Sequence, residues 1–144
     1  MKVDIFVDGA CIVQKRIGGW AIISTDGTIE RFGNQTNTTN NEMELVSVLE
    51  AIKSCKEKYQ EEVRIHSDSE YVINTMTKWA SQWEANNWKK NNGKQIKNLK
   101  LIKEIFQFVK TYNITFIKVK AHDGDIYNER VDKLAKKAMR EIEY

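Results

Sequence analysis

The sequence predicts an α/β fold built on a mixed sheet, and three observations carry that reading. Val3 to Asp8 and Val63 to Asp68 both alternate with the period of two that marks a strand. An amphipathic helical stretch lies between them, and a strand–helix–strand crossover of that length implies parallel pairing. Two further short strands, Ile17 to Ser24 and Thr28 to Gly33, follow the first closely enough to form an antiparallel meander with it.

In the first strand Val3, Ile5 and Val7 share one face, and Asp4, Phe6 and Asp8 the other. Asp8 is therefore expected at the strand's end, where Gly9 lets a bound group approach the main chain. An Asp-Gly turn at Thr25-Asp26-Gly27-Thr28 joins the next two strands. Thr38-Thr39-Asn40-Asn41 is a polar cap cluster, and Glu44 is expected in the first turn of the helix it opens. Leu45, Val48, Leu49, Ile52 and Cys55 recur at helical spacing, so this helix lays one stripe on the sheet. The fourth strand runs out at Asp68, and Ser69-Glu70-Tyr71-Val72-Ile73 starts a helix at once. Parallel pairing then brings Asp8 and Asp68 to the same carboxyl edge, where open α/β sheets bind ligands. Trp79, Trp83 and Trp88, four and five apart, are expected on helix, interleaved with lysine as a protruding platform. Leu99, Ile102, Ile105, Phe106 and Val109 mark a further amphipathic helix, and Ile114 to Val119 a fifth strand. Last comes His122, in a loop with glycine and aspartate, before a helix striped by Val131, Leu134, Ala135 and Ala138. Asp132 is placed in or near its first turn.

At 144 residues the chain fits one domain, residues 1–144, able to bury roughly 70% of its unfolded surface. Cys11 and Cys55 read as small apolar groups of a reduced protein. No apolar run approaches the ~18 residues of a membrane span, and early acids break the pattern of a signal peptide. A cytoplasmic, monomeric protein without a membrane partner is expected. Charge is unevenly placed: from Lys78 to Lys120 ten lysines face two glutamates, a local +8 that leaves −5 for the rest of a +3 chain. A basic segment beside an acidic remainder suits a polyanion held by one part while another does chemistry or binds metal. Tryptophans among those lysines suit ring packing on sugars or bases, although a small tryptophan-rich core explains part of the same pattern.

Each acid has an ordinary explanation alone: strand-end punctuation for Asp8, dipole compensation for Glu44. Should Asp8, Glu44, Asp68 and Asp132 converge at one sheet edge, they would repel unless a cation joined them. Oxygen-only ligands favour Mg²⁺ or Mn²⁺ over zinc. Two such ions roughly 4 Å apart activate a water and stabilise the leaving oxygen of a phosphodiester, which predicts a nuclease. His122, near neutrality in its pKa, would be suited to proton traffic beside them. No Gly-rich phosphate cradle and no Ser-His-Asp arrangement can be placed.

Asp8-Gly9-Ala10, Thr39-Asn40-Asn41-x-Met43-Glu44-Leu45, Ser67-Asp68-Ser69-x-Tyr71-Val72, the three tryptophans and His122-x₅-Asn128-Glu129-Arg130-x-Asp132 resemble type 1 ribonuclease H, in order and across nearly the whole chain. That resemblance implies a five-stranded mixed sheet of order 3-2-1-4-5, flanked by helices. It implies endonucleolytic cutting of the RNA strand of RNA–DNA hybrids to 3′-hydroxyl and 5′-phosphate ends. By the same likeness Asp8, Glu44, Asp68 and Asp132 hold two Mg²⁺ ions, with Mn²⁺ as an alternative, and His122 assists proton transfer or product release. Gly9, Ala10, Cys11, Asn40 and Glu44 fall near the RNA 2′-hydroxyls, which distinguish the strands. Thr39, Trp79, Gln82, Trp83, Trp88, Lys89 and Lys90 complete the nucleic-acid contacts, most of them in a basic handle at about 79–97.

The chain also departs from the family pattern. Ile12 to Ile17 replaces a Gly-Asn-Pro-Gly-type loop, and Asn37 and Gln82 stand where arginine and asparagine are common. Glu70 adds charge beside Asp68. The basic cluster usual between the second and third tryptophans is Glu84-Ala85-Asn86-Asn87, its charge displaced to Lys89, Lys90, Lys94 and Lys97. Weaker or more salt-sensitive hybrid binding is the expectation. The competing classes are a non-catalytic hybrid-binding module of the same fold, disfavoured by the full set of acids, and a related polynucleotidyl transferase or resolvase, disfavoured by the handle.

Overall fold

The computed structural model describes residues 2–55, 57, 61–120 and 124–143. Five strands, β1 (Lys2–Ile12), β2 (Ile17–Ser24), β3 (Glu30–Thr36), β4 (Glu62–Ser67) and β5 (Ile114–Lys118), form one sheet in the order β3-β2-β1-β4-β5. The meander β1-β2-β3 is antiparallel, whereas β4 pairs parallel with both β1 and β5. The mixed sheet predicted from the alternating strands and the crossover is therefore present.

Two helical layers cover the sheet. On one face α1 (Asn40–Ser54) presses Leu45, Val48, Leu49 and Ile52 onto Val3, Ile5, Val7 and Ile65, joined by Ile102 and Ile105 of α4 (Leu99–Thr111). On the other, Val131, Ala135 and Met139 of α5 (Ile126–Glu143) meet Phe6, Ala10, Ala21 and Ile23. Each fully buried Leu or Ile contributes about 1.5–3 kcal/mol, so these two interfaces dominate the stability. Between β4 and α4 run α2 (Glu70–Asn74), a π-type turn at Thr75–Trp79 and α3 (Ala80–Ala85).

Four expectations need correction. Asp8 is not at the end of β1: the strand continues to Ile12 because β2 stays paired with it through Ile12↔Ile17. Asp8 instead lies beyond the last parallel pair, Phe6↔His66, where β4 has already turned away. Glu44 and Asp132 lie past the first turns of α1 and α5, which begin at Asn40 and Ile126. The second hairpin is shifted too, since Asp26 caps Thr28 through its own carboxylate and delays β3 to Glu30.

α5 lies against the sheet at Gly19, where an added Cβ would stand 2.6 Å from Met139 N. Neither backbone can yield, so Gly19→Ala is expected to cost about 1–3 kcal/mol in denaturant unfolding. Gly27→Ala, at φ 79 with nothing within 4 Å, should cost about 1–2 kcal/mol from its left-handed backbone alone. Equal stabilities for wild type and Gly19→Ala would refute the close approach of α5 to β2.

Candidate active site

Three acids from three elements meet at the carboxyl edge of the parallel pair. Asp8 comes from β1, Glu44 from α1 and Asp68 from the residue after β4, and one carboxylate oxygen of each lies within 4.8 Å of the other two. Asp8 and Glu44 are buried, and Asp68 is half-buried. α1 can cross so near because position 9 is glycine: a Cβ there would come within 2.5 Å of Glu44 N. The same amide serves both acids, since Gly9 N–H donates to Asp8 Oδ1 at 3.0 Å and to Glu44 Oε1. Thr39 starts α1 by accepting from Glu42 N–H at 3.1 Å, and Ser69 starts α2 by accepting from Val72 N–H at 3.2 Å. Ser69 stands near enough to Glu44 to favour its charged form, so the caps of two helices flank the acid cluster.

Asp132 borders this group: it stands near enough to Asp8 to help raise that carboxyl, its Oδ2 accepts from Lys136 at 3.1 Å, and it lines a cleft of about 350 Å³ with Asp68, Asn128 and Glu129. His122 lies outside the described residues. Asn128 is a neighbour that sequence reading quoted within a motif and gave no role. It is 4% exposed, donates to Asp68 Oδ2 at 3.3 Å, and its Oδ1 is buried with no protein partner among the described residues. Its place four residues before Asp132 on one helix was the available signal. Lys118, also without an assigned role, donates to the Asp68 carbonyl at 2.6 Å.

Burial pushes the Asp8 carboxyl up to about 10, with Glu44 and then Asp68 adding repulsion. Burial likewise raises Glu44 to about 7, opposed by its hydrogen bonds to Asp8 and to the Gly9 amide. Carboxylate oxygens only, close together and costly to ionise, suit a hard divalent cation.

The predicted nucleic-acid residues separate into groups. Ala10 turns its methyl into the α5-side core, and Cys11, half-buried, lies 3.7 Å from Thr38 O with its thiol pushed up by burial. Thr39, Asn40, Trp79, Trp83 and Lys90 line one cleft of about 660 Å³, together with Tyr71 and Lys97. Trp88 and Lys89 line a second cleft of about 740 Å³, and exposed Gln82 is placed in neither lining. Trp79 and Trp83 lie on helix as expected, and Trp88 does not. Trp79 ends the π-type turn, Trp83 belongs to α3, and Trp88 follows it at φ 60, next to Asn87 at φ 55. That left-handed backbone costs Trp88 about 1–2 kcal/mol and is secured by Trp88 N–H donating to Trp83 O at 2.6 Å. Only Trp79 of the three is exposed, since Trp83 and Trp88 pack against the core. Glu84, where the handle lacks its usual charge, pairs with Lys110 of α4.

Fold and site together define an α/β protein with a carboxylate centre at a sheet edge, flanked by basic, aromatic clefts. The RNase H family model matches residues 1–140. Ribonuclease H of Wolbachia sp. subsp. Drosophila simulans is 40% identical over 140 residues, covering 96% of this chain and 95% of that protein. Ribonuclease H of Caldicellulosiruptor saccharolyticus is 36% identical over 144 residues, covering 98% of each. The crystal structure of LC9-RNase H1, a type 1 RNase H with the type 2 active-site motif, superposes with a TM-score of 0.81 at 29% identity, covering 96% of this chain and 72% of that one. A foamy viral protease-reverse transcriptase in complex with RNA/DNA hybrid shares the fold at a TM-score of 0.80 and 19% identity, over 95% of this chain and 20% of that one. The chain belongs to the RNase H family. Among the described residues no helix is long and apolar enough to cross a membrane.

An acid whose folded pKa is raised favours the fold only while protonated, a contribution complete below about pH 4 and lost as pH rises through the folded values. In chelator the melting temperature should therefore fall from pH 5 to pH 9, through the ranges of Glu44 and then Asp8. Asp8→Asn keeps an acceptor for Gly9 N–H, no longer has to take up a proton on folding, and should melt a few degrees higher than wild type at pH 8, at about 3 °C per kcal/mol. Mg²⁺ should raise wild type more than the variant. A less stable variant in chelator would mean the acids do not crowd one another.

Proposed function

We propose that the chain is an endoribonuclease that hydrolyses the RNA strand of RNA–DNA hybrids, leaving 3′-hydroxyl and 5′-phosphate ends. The observation that carries this reading is the convergence of Asp8, Glu44 and Asp68 within 4.8 Å, from three separate elements, in a chain of this family. Asp8, Glu44, Asp68 and Asp132 would hold two Mg²⁺ ions, or Mn²⁺. Bound there, such ions supply an activated water and charge stabilisation at the leaving oxygen. The protein's own contribution is to fix the acids: Gly9 N–H orients Asp8 and Glu44, while Asn128 and Lys118 hold the side chain and backbone of Asp68. His122 is assigned proton transfer or product release.

Gly9, Cys11 and Asn40, with the backbone of Ala10, would face the RNA strand beside the acids, its 2′-hydroxyls marking it for cutting. Thr39, Trp79, Trp83 and Lys90, gathered in the 660 Å³ cleft, would take the other strand through phosphate and sugar contacts. Gln82, Trp88 and Lys89 are proposed as further nucleic-acid contacts outside that cleft. The whole of 1–144 is read as one domain that includes the handle, acting as a cytoplasmic monomer.

Incubation with a hybrid labelled on its RNA strand is expected to give Mg²⁺-dependent RNA cutting, with no cutting of single-stranded RNA or duplex DNA. Asp68→Asn should lower the rate by at least about a hundredfold. Binding without cutting by wild type would sink the enzymatic reading and favour the binding module. A separate titration of hybrid affinity against salt tests the altered handle. Glu84→Lys with Ala85→Lys should tighten binding and steepen the slope of log K on log salt by roughly 0.9 per phosphate gained, so of the two expected alternatives the missing charge gives weaker binding and not greater salt sensitivity. An unchanged slope would show that the missing cluster does not limit affinity.

A further inference from the structure

Resting on the nucleic-acid reading above, we propose that the 740 Å³ outer cleft of the handle binds an unpaired strand continuing beyond the hybrid, a site separate from the 660 Å³ inner cleft. Ile96, buried at 6% exposure, lines both clefts and divides the handle into two flanks. The lysines part across it. Lys90 and Lys97 line the inner cleft, Lys89 and Lys94 the outer, and Lys103 of α4 completes the outer rim. The outer cleft lies within the ~300–1,000 Å³ that ligand sites occupy. Among the described residues no carboxylate lines it. The two glutamates of this basic segment are engaged elsewhere, Glu84 with Lys110 and Glu104 with Lys53 at 4.0 Å. The cleft is thus shaped and charged for a polyanion.

Trp88 indicates which polyanion. A duplex offers phosphates and keeps its bases stacked on one another, so an aromatic ring in a phosphate groove gains little from it. A single strand offers free base faces, and a basic groove with an aromatic ring is the arrangement that binds it without regard to sequence. Trp88 sets its ring 6.1 Å from that of Phe106 in an edge contact at 80°, which fixes the ring. Lys103 Nζ lies over the half-buried Trp88 ring, 5.6 Å from its centroid, so a base stacking there would take the place of that ammonium and leave it to pair with the strand's phosphate. The left-handed pair Asn87 and Trp88 delivers the ring to this flank, whereas Trp79 and Trp83 line the inner one. A duplex seated on Trp79 and Trp83 leaves the flank beyond Ile96 to whichever strand outruns its partner.

The test compares a blunt RNA–DNA hybrid with the same hybrid carrying a single-stranded thymidine extension at one end or the other. Affinity is read by fluorescence anisotropy in chelator at about 0.15 M salt, where charges more than ~8 Å apart are screened. Wild type is expected to hold one of the extended hybrids about tenfold more tightly than the blunt one. Lys103→Glu should abolish that gain while keeping blunt-hybrid affinity and the Mg²⁺-dependent cutting rate, and Lys103→Arg should retain it. Equal affinity of wild type for blunt and extended hybrids overturns the proposal. So does a Lys103→Glu protein that weakens on both by the same factor, since the two clefts would then act as one grip. Failure of wild type to bind or cut the blunt hybrid is a different result, and overturns the nuclease reading together with this one.

Discussion

Two carboxylates buried side by side around a single backbone amide are the constraint to which the rest of this fold answers. Asp8 and Glu44 share the N–H of Gly9, and both are nearly closed to solvent. Like charges so placed oppose folding, and the surrounding structure must over-determine their positions to hold them. It does so from both sides. α1 is pinned over β1 by the absence of a side chain at Gly9 and by a stripe of Leu45, Val48, Leu49 and Ile52 that cannot be rotated away without exposing the core. The other sheet face is closed by α5, which brings Asp132 to Asp8.

The mixed sheet explains why the acids gather where they do. Parallel β1 and β4 point their carboxyl ends the same way, and β4 stops one residue before Asp68 while antiparallel β2 carries β1 onward past Asp8. That difference in length opens a notch beside β1, and the notch is where α1 delivers Glu44. The supporting shell is made of ordinary local chemistry: helix caps at Thr39 and Ser69, an amide from Asn128 and an ammonium from Lys118. None of these side chains has to move for the acids to stand within reach of one cation.

Much of this was legible in the sequence because the signals were local. Alternation in β1 and β4, the cap at Thr39-Asn40 and the stripe of α1 are short-range patterns, and each predicted its element. What failed was what depends on a partner strand or on the far end of the chain. The extension of β1 to Ile12 comes from β2, and no residue in 9–12 announces it. Asn128 became visible only when α5 was laid beside β4. Trp88 misled for another reason: its spacing from Trp83 suggests helix, yet Asn87 and Trp88 take left-handed backbone angles that few non-glycine residues adopt, so the pattern carried no warning. The division of the lysines between two flanks follows from that same reversal.

The close seating of α5 on Gly19 carries a consequence for how the protein comes to be. Asp8 is made well before Asp132, and the two come together only when Ala135 and Met139 have closed over the outer face of the meander. A polypeptide still emerging, with α1 already on the sheet, holds a pocket of negative charge that lacks its final wall. Completion of the acid cluster is thereby tied to completion of the fold, and a partly synthesised chain has the outline of the site without its fourth side.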